Sequence, residues 1–165
     1  MIIKIKNRKN QVFKVFLDKK DYNIVKKYSL WIDQKKQTNY VCLTYKKRHA
    51  YLHRLLLNVI NKKVQVDHIN GNGLDNRRKN LRSCTRQQNL FNQKITDKNI
   101  NGYKGVSKNC DKRSNTYKIK PWRARIKFNY ESISLGSFKT KKEAALAYNK
   151  AALKYYGEFA CLNKL

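Results

Sequence analysis

The charge balance is the feature that most restricts what this chain can fold into and bind. Its 165 residues contain 39 Lys and Arg against 10 Asp and Glu, a formal net charge of +29 at pH 7. A folded protein with this excess repels itself unless a polyanion neutralises it. Phosphate contacts release counterions and favour binding, so nucleic acid is the expected partner. Charge alone also fits a ribosomal or chromatin-like packaging protein.

The apolar residues indicate folded cores rather than a disordered basic tail, since 41% of the chain is hydrophobic and 11 residues are Tyr. No run approaches the roughly 20 apolar residues of a membrane span, so we expect no membrane partner. The first ten residues lack the apolar core of a signal peptide, which favours the cytoplasm. No two cysteines form a C-x-x-C pair, so we expect free thiols rather than a zinc site. The cysteines are Cys42, Cys84, Cys110 and Cys161.

Hydrophobic periodicity predicts an α+β protein made of short elements. Alternating runs predict strands at IIKIK, VFKVFL, NYVCLTY, residues 64–67 and 81–83, YKGVSKN, WRARIKF and SISLGSF. Helical patterns cover residues 18–27, 51–60, 85–93 and 141–156, the last beginning with a Thr140 and Glu143 capping box. We expect an N-terminal strand-rich region at 1–50, a central segment at 51–94, a polar linker at 95–101 and a C-terminal unit at 102–165.

The central segment carries the residues with chemical potential. Asp67 and His68 follow a short strand and open a loop rich in Asn and Gly, with Asn80 and Asn89 further along. Phosphodiester hydrolysis needs an activated water and a cation that stabilises developing charge. His68 titrates near neutral pH and suits a general base. Asp67 and Asn89 offer hard oxygen ligands, which suit Mg²⁺ or Mn²⁺.

The run YLHRLLL…VQVDHINGNGLDNRRKNLRSCTRQQNLFNQK resembles the HNH nucleases of phage and intron homing endonucleases. That resemblance implies a ββα-metal core, in which two strands and a helix hold one divalent cation. It also implies that His68 activates water, that Asp67 and Asn89 bind the metal, and that Asn80 fixes the loop. Mg²⁺ is the expected ion and Mn²⁺ the alternative. We therefore expect Asp67 and Asn89 to converge on one ion, with the His68 imidazole open to a nearby water.

Several neighbouring residues allow two interpretations. His53 is predicted to be a packed structural histidine, although it could approach the active site. Asn76 is an alternative for the middle motif position, which we assign to Asn80. A dense basic patch near the loop is either solvated or in contact with DNA phosphates, and we predict DNA contact. Its arginines are Arg77, Arg78 and Arg82.

The C-terminal unit resembles the Apetala-type DNA-binding domain of plant ethylene-response factors. The resemblance rests on Tyr103-x-Gly105-Val106, the WRARI strand, Leu135-Gly136-x-Phe138 and the helix EAALAY. It implies a three-stranded antiparallel sheet, packed on one helix, that lies in the major groove of DNA.

The basic residues of this unit are the predicted DNA contacts. The family's positions support Lys104, Arg125 and Lys127, whereas alternation along the strand alone supports Arg123. Ser132 and Ser134 stand where plant members carry Arg and Trp, so the plant target sequence does not transfer.

Together these patterns predict a site-specific, metal-dependent DNA endonuclease of the homing type. One catalytic motif per chain favours a monomer acting on double-stranded DNA. Two alternatives stay open: a DNA-binding regulator with an inactive nuclease core, and an RNA-binding or ribosome-associated protein.

Overall fold

The computed structural model describes residues 1–35, 38–95, 99–109 and 119–165. These residues form two compact units, Met1–Asn92 and Gln93–Leu165. Short helices and small antiparallel sheets confirm the predicted α+β class. Cys110 and part of the predicted linker, residues 96–98, lie outside the described residues. Cys42, Cys84 and Cys161 are free thiols.

The first unit contains three antiparallel sheets, ordered β1-β2, β3-β4-β5 and β6-β7. Its strands are β1 (Ile2–Lys6), β2 (Val12–Phe16), β3 (Leu30–Gln34), β4 (Asn39–Tyr45), β5 (Arg48–Tyr51), β6 (Gln65–His68) and β7 (Leu81–Cys84). Its helices are α1 (Lys19–Val25), α2 (Leu52–Leu56) and α3 (Arg86–Asn92), and a 3₁₀ turn covers Arg78–Asn80.

One hydrophobic core joins the N-terminal strands to the central segment. Val15 and Leu17 are fully buried with Leu43 of β4 and Leu52 of α2, and Leu81 of β7 belongs to the same cluster. Burying such side chains contributes roughly 1.5–3 kcal/mol each to folding. Residues on both sides of the predicted boundary at 50 therefore stabilise the same core.

The helix predicted at 51–60 is shorter in the structure, and the strands β3 and β5 were not predicted. α2 ends at Leu56, and Asn58 adopts a left-handed backbone with φ of 52°. The Arg54 guanidinium then holds the following turn by donating to the carbonyls of Val64 at 2.7 Å and Asn61 at 2.8 Å. An apolar run alone does not locate the end of a helix, because tertiary packing decides it.

The second unit is a three-stranded antiparallel sheet packed on one helix, as predicted. Its strands β8 (Val106–Lys108), β9 (Trp122–Phe128) and β10 (Glu131–Phe138) are ordered β8-β9-β10, with a bulge between Ser134 and Gly136. The helix α4 (Lys141–Tyr156) has the predicted bounds and is followed by a 3₁₀ turn at Gly157–Phe159. The core contains Val106, Ala124, Ala144 and Ala145.

Two features fix α4 against the sheet. Its first turn is capped by Thr140, whose Oγ1 accepts from the Glu143 backbone N–H at 3.1 Å. At Gly105, φ is +74° and a Cβ would overlap the Tyr148 ring. Glycine is therefore required where β8 begins, because it allows both the positive φ and the close approach of α4. No described helix is long and apolar enough to span a membrane.

Candidate active site

Strands β6 and β7 and helix α3 form the ββα arrangement that the resemblance implied. β6 pairs antiparallel with β7, with Asp67 opposite Arg82 and His68 opposite Leu81. α3 follows β7 and returns against β6. This hairpin and helix place the Asp67 and His68 pair at the end of a strand, below the loop of residues 69–80.

The Asp67 carboxylate, 6% exposed, contacts both the neighbouring strand and the helix. Arg82 of β7 donates to Oδ2 through Nε at 3.0 Å and Nη2 at 2.8 Å. Asn92 of α3 donates through Nδ2 to Oδ1 at 3.0 Å and Oδ2 at 2.9 Å. A buried carboxylate needs such partners, and here they draw β6, β7 and α3 together.

The helix residue that meets Asp67 is Asn92, not the predicted Asn89. The Asn89 amide donates to Gln65 Oε1 at 2.7 Å. Asn92, one turn further along α3, also donates to the backbone carbonyl of His68 at 3.0 Å. Residues three apart share one helix face, so helical periodicity could place Asn92 beside Asn89 but could not show which of them meets Asp67.

His68 is buried beneath aromatic rings, whereas we expected its imidazole to be open to water. The side chain is 5% exposed, with ring centroids 5.9 Å from Tyr40 and 5.0 Å from His53. This burial lowers the pKa of His68 and favours the neutral ring. Along β6 successive side chains alternate, which turns His68 toward these rings while Asp67 faces α3.

Asn76 places an acceptor beside one ring nitrogen of His68. The Asn76 Nδ2 donates to the Gly73 carbonyl at 3.3 Å, which turns its Oδ1 toward Nε2 of His68 at 3.5 Å. An amide oxygen only accepts, so this contact favours the Nε2–H tautomer and leaves a lone pair on Nδ1. From its sequence position Asn76 was predicted only as an alternative for the middle motif position, and no local pattern indicated this role.

Asn80 ties the two ends of the loop together. Its Oδ1 accepts from the Asn70 backbone N–H at 3.0 Å, and its Nδ2 donates to the Asp75 carbonyl at 2.7 Å. Nδ2 also lies 3.1 Å from the Asn70 Oδ1. These are the bonds expected of a residue that fixes the loop rather than one that reacts.

The N-terminal strands also hold this loop. The Phe16 backbone donates to the Leu74 carbonyl and accepts from the Asn76 N–H, both at 2.9 Å. Thr38 Oγ1 accepts from the Gly73 N–H at 2.9 Å. A Cβ at Gly73 would overlap the carbonyl of Asn39, so only glycine allows this close approach. The first 50 residues therefore scaffold the candidate active site.

The predicted basic patch is made of ion pairs within the first unit. Each guanidinium contacts a buried carboxylate: Arg77 meets Asp75 at 2.7 Å, Arg78 meets Asp21 at 2.8 Å and Arg82 meets Asp67 at 2.8 Å. Hydrogen bonds from Arg77 lower the pKa of Asp75. The three arginines thus neutralise acidic side chains around the loop, and their contact with DNA remains a prediction.

In the second unit, one sheet face combines basic and hydroxyl side chains. Arg125 and Lys127 of β9 are exposed, while Ala124 and Ile126 between them are buried against α4. On β10, Ser134 lies opposite Arg125, and Ser132 opposite Lys127. On β9, the Arg123 Nη2 donates to Asn109 Oδ1 at 2.9 Å. This face offers hydrogen-bond donors and positive charge to a partner.

Lys104, predicted to contact DNA, is half-buried before β8. Its ammonium donates to the Gln93 carbonyl at 2.7 Å, and burial lowers its pKa. Asn163 fixes its backbone by accepting from the Lys104 N–H at 2.6 Å and donating to the Lys104 carbonyl at 3.0 Å. Its role in DNA contact also remains a prediction.

The donors around Asp67 fit a hard divalent cation. Among described residues no three His, Cys, Asp or Glu side chains form a metal-binding group. A carboxylate and an asparagine amide on the facing helix are another kind of ligand pair. Both present oxygen atoms when the amide is rotated, and oxygen ligands suit Mg²⁺ or Mn²⁺. In the structure the Asn92 Nδ2, rather than Oδ1, meets the Asp67 carboxylate, so the amide would rotate to bind a cation.

Comparisons with known proteins agree with this geometry. A sequence model of the HNH endonuclease family matches residues 59–90, which hold β6, β7 and most of α3. An uncharacterized HNH endonuclease of Acanthamoeba polyphaga mimivirus is 32% identical over 152 residues, covering 92% of this chain and 74% of the relative. The chain belongs to the HNH endonuclease family. This HNH endonuclease is thus a nuclease, as predicted. No solved structure matches it.

Proposed function

We propose that this HNH endonuclease is a site-specific, metal-dependent DNA endonuclease. It hydrolyses phosphodiester bonds of DNA with His68 as the general base. The observation that carries the proposal is the buried imidazole of His68 directly after the Asp67 carboxylate, which a helix amide contacts. A base and a hard anionic ligand, adjacent on one strand end, are the two groups that metal-assisted hydrolysis requires.

Asp67 would hold the cation together with an amide oxygen from α3. The sequence predicted Asn89 for this position. Because Asn92 contacts Asp67 and Asn89 contacts Gln65, we propose Asn92 instead. A cation held there, most suitably Mg²⁺ with Mn²⁺ as the alternative, would supply charge that stabilises the phosphate as negative charge develops on it. Arg82 stays within reach of the same carboxylate and fixes its orientation.

The protein's own residues organise the proton transfer. With Nε2–H directed at Asn76, Nδ1 of His68 is free to take a proton from the attacking water. The water oxygen then bonds to phosphorus as the bond to the leaving oxygen breaks, and the leaving alkoxide takes a proton from solvent water. Neutral His68 suits this step because its lowered pKa keeps the ring unprotonated at physiological pH. Asn80 keeps the loop, and with it Asn76, in place.

The second unit supplies target selection. Its exposed face with Arg125 and Lys127, and its sheet-on-helix fold, support the resemblance to the Apetala-type DNA-binding domain. Arginine contacts to guanine can give roughly 1–3 kcal/mol of discrimination each. Tethering this unit to the nuclease raises the local concentration of the nuclease at chosen sites. We propose a monomeric homing endonuclease of phage or intron origin that acts in the cytoplasm.

Nicking of supercoiled plasmid with and without Mg²⁺ tests the proposal. Wild-type protein should nick or linearise the plasmid with Mg²⁺ and lose activity in EDTA. His68→Ala should be inactive under the same conditions, while Tyr22→Ala, which removes an exposed ring on α1 outside the loop, serves as the control. Equal cutting by wild type and His68→Ala would refute the assignment of His68.

Burial of the His68 ring favours one alternative, a DNA-binding regulator with an inactive nuclease core. The 5% exposure of His68 restricts access for a water beside the imidazole. That protein would bind duplex DNA without cutting it in either Mg²⁺ or Mn²⁺. Binding without cleavage by wild type, with metal present, would therefore select the regulator.

A further inference from the structure

One face of the β3-β4-β5 sheet carries a row of ring side chains. Alternation and register place them together, since Trp31 lies in register with Cys42 and Tyr51, and Thr44 lies opposite His49. The opposite face carries Val41 and Leu43, which are fully buried in the core. We call the first side the aromatic face. Its rings belong to Trp31, Tyr40, His49 and Tyr51.

The rings form an unbroken path from the surface to the imidazole of His68. The centroid of Trp31 is 5.7 Å from that of His49, and His49 is 5.1 Å from Tyr51. Tyr51 stacks on His53 at 5.4 Å with an interplanar angle of 12°. His53 then lies 5.0 Å from His68. The aromatic face is therefore continuous with the candidate active site and within the same unit.

The outer end of this path is open to a partner. Trp31 is 36% exposed and His49 is also exposed, although an indole is among the side chains that gain most from burial. The inner end is closed, because His53 and His68 are buried. A ligand that enters along this face would meet Trp31 and His49 first.

The charges around the aromatic face suit a polyanion. The hairpin that joins β4 to β5 exposes Lys46, Lys47 and Arg48 next to His49. The one acidic side chain of β3, Asp33, accepts from the Tyr51 hydroxyl at 3.1 Å and pairs with Lys35 at 3.1 Å. Its negative charge is offset locally, so it does not oppose an approaching phosphate backbone.

We propose that the aromatic face binds DNA by stacking Trp31 and His49 on a nucleobase of the strand whose phosphate is attacked by the water that His68 activates. This inference rests on the proposed function, because it places the DNA strand along the ring path. Every base has a π face, so stacking of this kind tolerates any sequence. The face would thus hold a splayed nucleotide near the cut, and the second unit would select the site.

Tryptophan fluorescence tests the stacking directly, since the chain has two tryptophans, Trp31 and Trp122. Trp122→Phe leaves Trp31 as the reporter, and Trp31→Phe leaves Trp122 as the control. Each variant is titrated, without metal, with a mixed-sequence single-stranded oligonucleotide and with heparin, a polyanion without bases. Quenching of Trp31 by the oligonucleotide but not by heparin supports stacking. Equal quenching by both, or no quenching by the oligonucleotide, overturns it.

Binding variants separate this inference from the proposed function. Trp31→Ala should raise the Kd for the oligonucleotide about fivefold or more, while Trp31→Phe retains most of the affinity. Tyr22→Ala removes an aromatic ring of similar exposure, 39%, from α1 and should leave the Kd unchanged. If the wild type cuts plasmid and Trp31→Ala binds the oligonucleotide as tightly as the wild type, the stacking is overturned and the proposed nuclease function stands. If Trp31→Ala weakens oligonucleotide binding but the wild type does not cut plasmid, the stacking stands and the nuclease role proposed for His68 is wrong.

Discussion

The Asn92 side-chain amide lies 3.0 and 2.9 Å from the two carboxylate oxygens of Asp67. The same amide reaches the His68 carbonyl at 3.0 Å, so one helix residue contacts both members of the Asp67 and His68 pair. Asn89 points instead to Gln65. The end of β6 therefore contacts a different asparagine of α3 from the one that the motif spacing predicted as a ligand.

Asn92→Ala should therefore impair cleavage more than Asn89→Ala. Loss of an oxygen ligand weakens metal binding, so the Mg²⁺ concentration for half-maximal nicking should rise by about tenfold or more for Asn92→Ala. Asn89→Ala is the matched control, because it shortens the same residue type on the same helix. If Asn89→Ala raises the half-maximal Mg²⁺ concentration more than Asn92→Ala does, Asn89 is the metal ligand, as the sequence alone indicated.

Asn76→Ala should slow the chemical step without weakening DNA binding. It removes the acceptor that favours Nε2–H on His68, so Nδ1 would carry the proton more often and could not accept one from water. We expect the single-turnover cleavage rate at saturating DNA to fall at least about tenfold, since general bases contribute roughly 10²–10⁴-fold. Asn72→Ala, in the same loop, is the control. An unchanged rate at wild-type thermal stability would contradict this role.

Arg78→Met should destabilise the first unit by leaving the Asp21 carboxylate, 1% exposed, without its ion pair. Breaking a buried pair costs about 3–5 kcal/mol, and partial exposure of Arg78 reduces the expected loss to about 2 kcal/mol of unfolding free energy. Urea unfolding measures this loss of unfolding free energy. The double variant Asp21→Asn with Arg78→Met should recover part of the loss. If the single variant is as stable as wild type, the pair does not hold the loop.

Stability should fall as the pH drops below about 6.5, because burial lowers the pKa of His53 to about 3 from an ordinary value of 6.5. Between these values the unfolded chain binds more protons than the folded chain, so acid favours unfolding. The loss is at most about 1.4 kcal/mol per pH unit. Thermal unfolding at pH 7.5 and pH 5 measures this effect. His53→Phe should lose less stability than the wild type between these two pH values. An equal loss in both proteins would contradict this account, and His49→Phe is the control.

Local patterns predicted much of the fold. The strand β9 and the helix α4 have the bounds that alternation and helical periodicity gave, because each buries one face against the other. The strands and helix of the ββα core were also predicted by local patterns, whereas their arrangement followed from the resemblance to HNH nucleases. Such elements are visible in sequence because their signals lie within a few residues.

Contacts between distant segments were not predictable from the sequence. Arg78 meets Asp21 across 57 residues, and Asn92 meets Asp67 across 25. Both depend on how α1 and α3 pack on the core, which no local pattern specifies. The burial of His68 has the same origin, because Tyr40 and His53 come from other elements of the unit. The motif identified the chemistry, and tertiary packing determined its partners.

Rescue of His68→Ala by free imidazole tests the central claim most directly. With Mg²⁺ and saturating plasmid, the account predicts that the variant does not nick DNA and that added imidazole, which can occupy the vacated position, restores part of the rate. Rescue should be greater above the pKa of imidazole, because only the neutral ring accepts a proton. Nicking by His68→Ala at the wild-type rate without imidazole would contradict the claim that His68 is the general base.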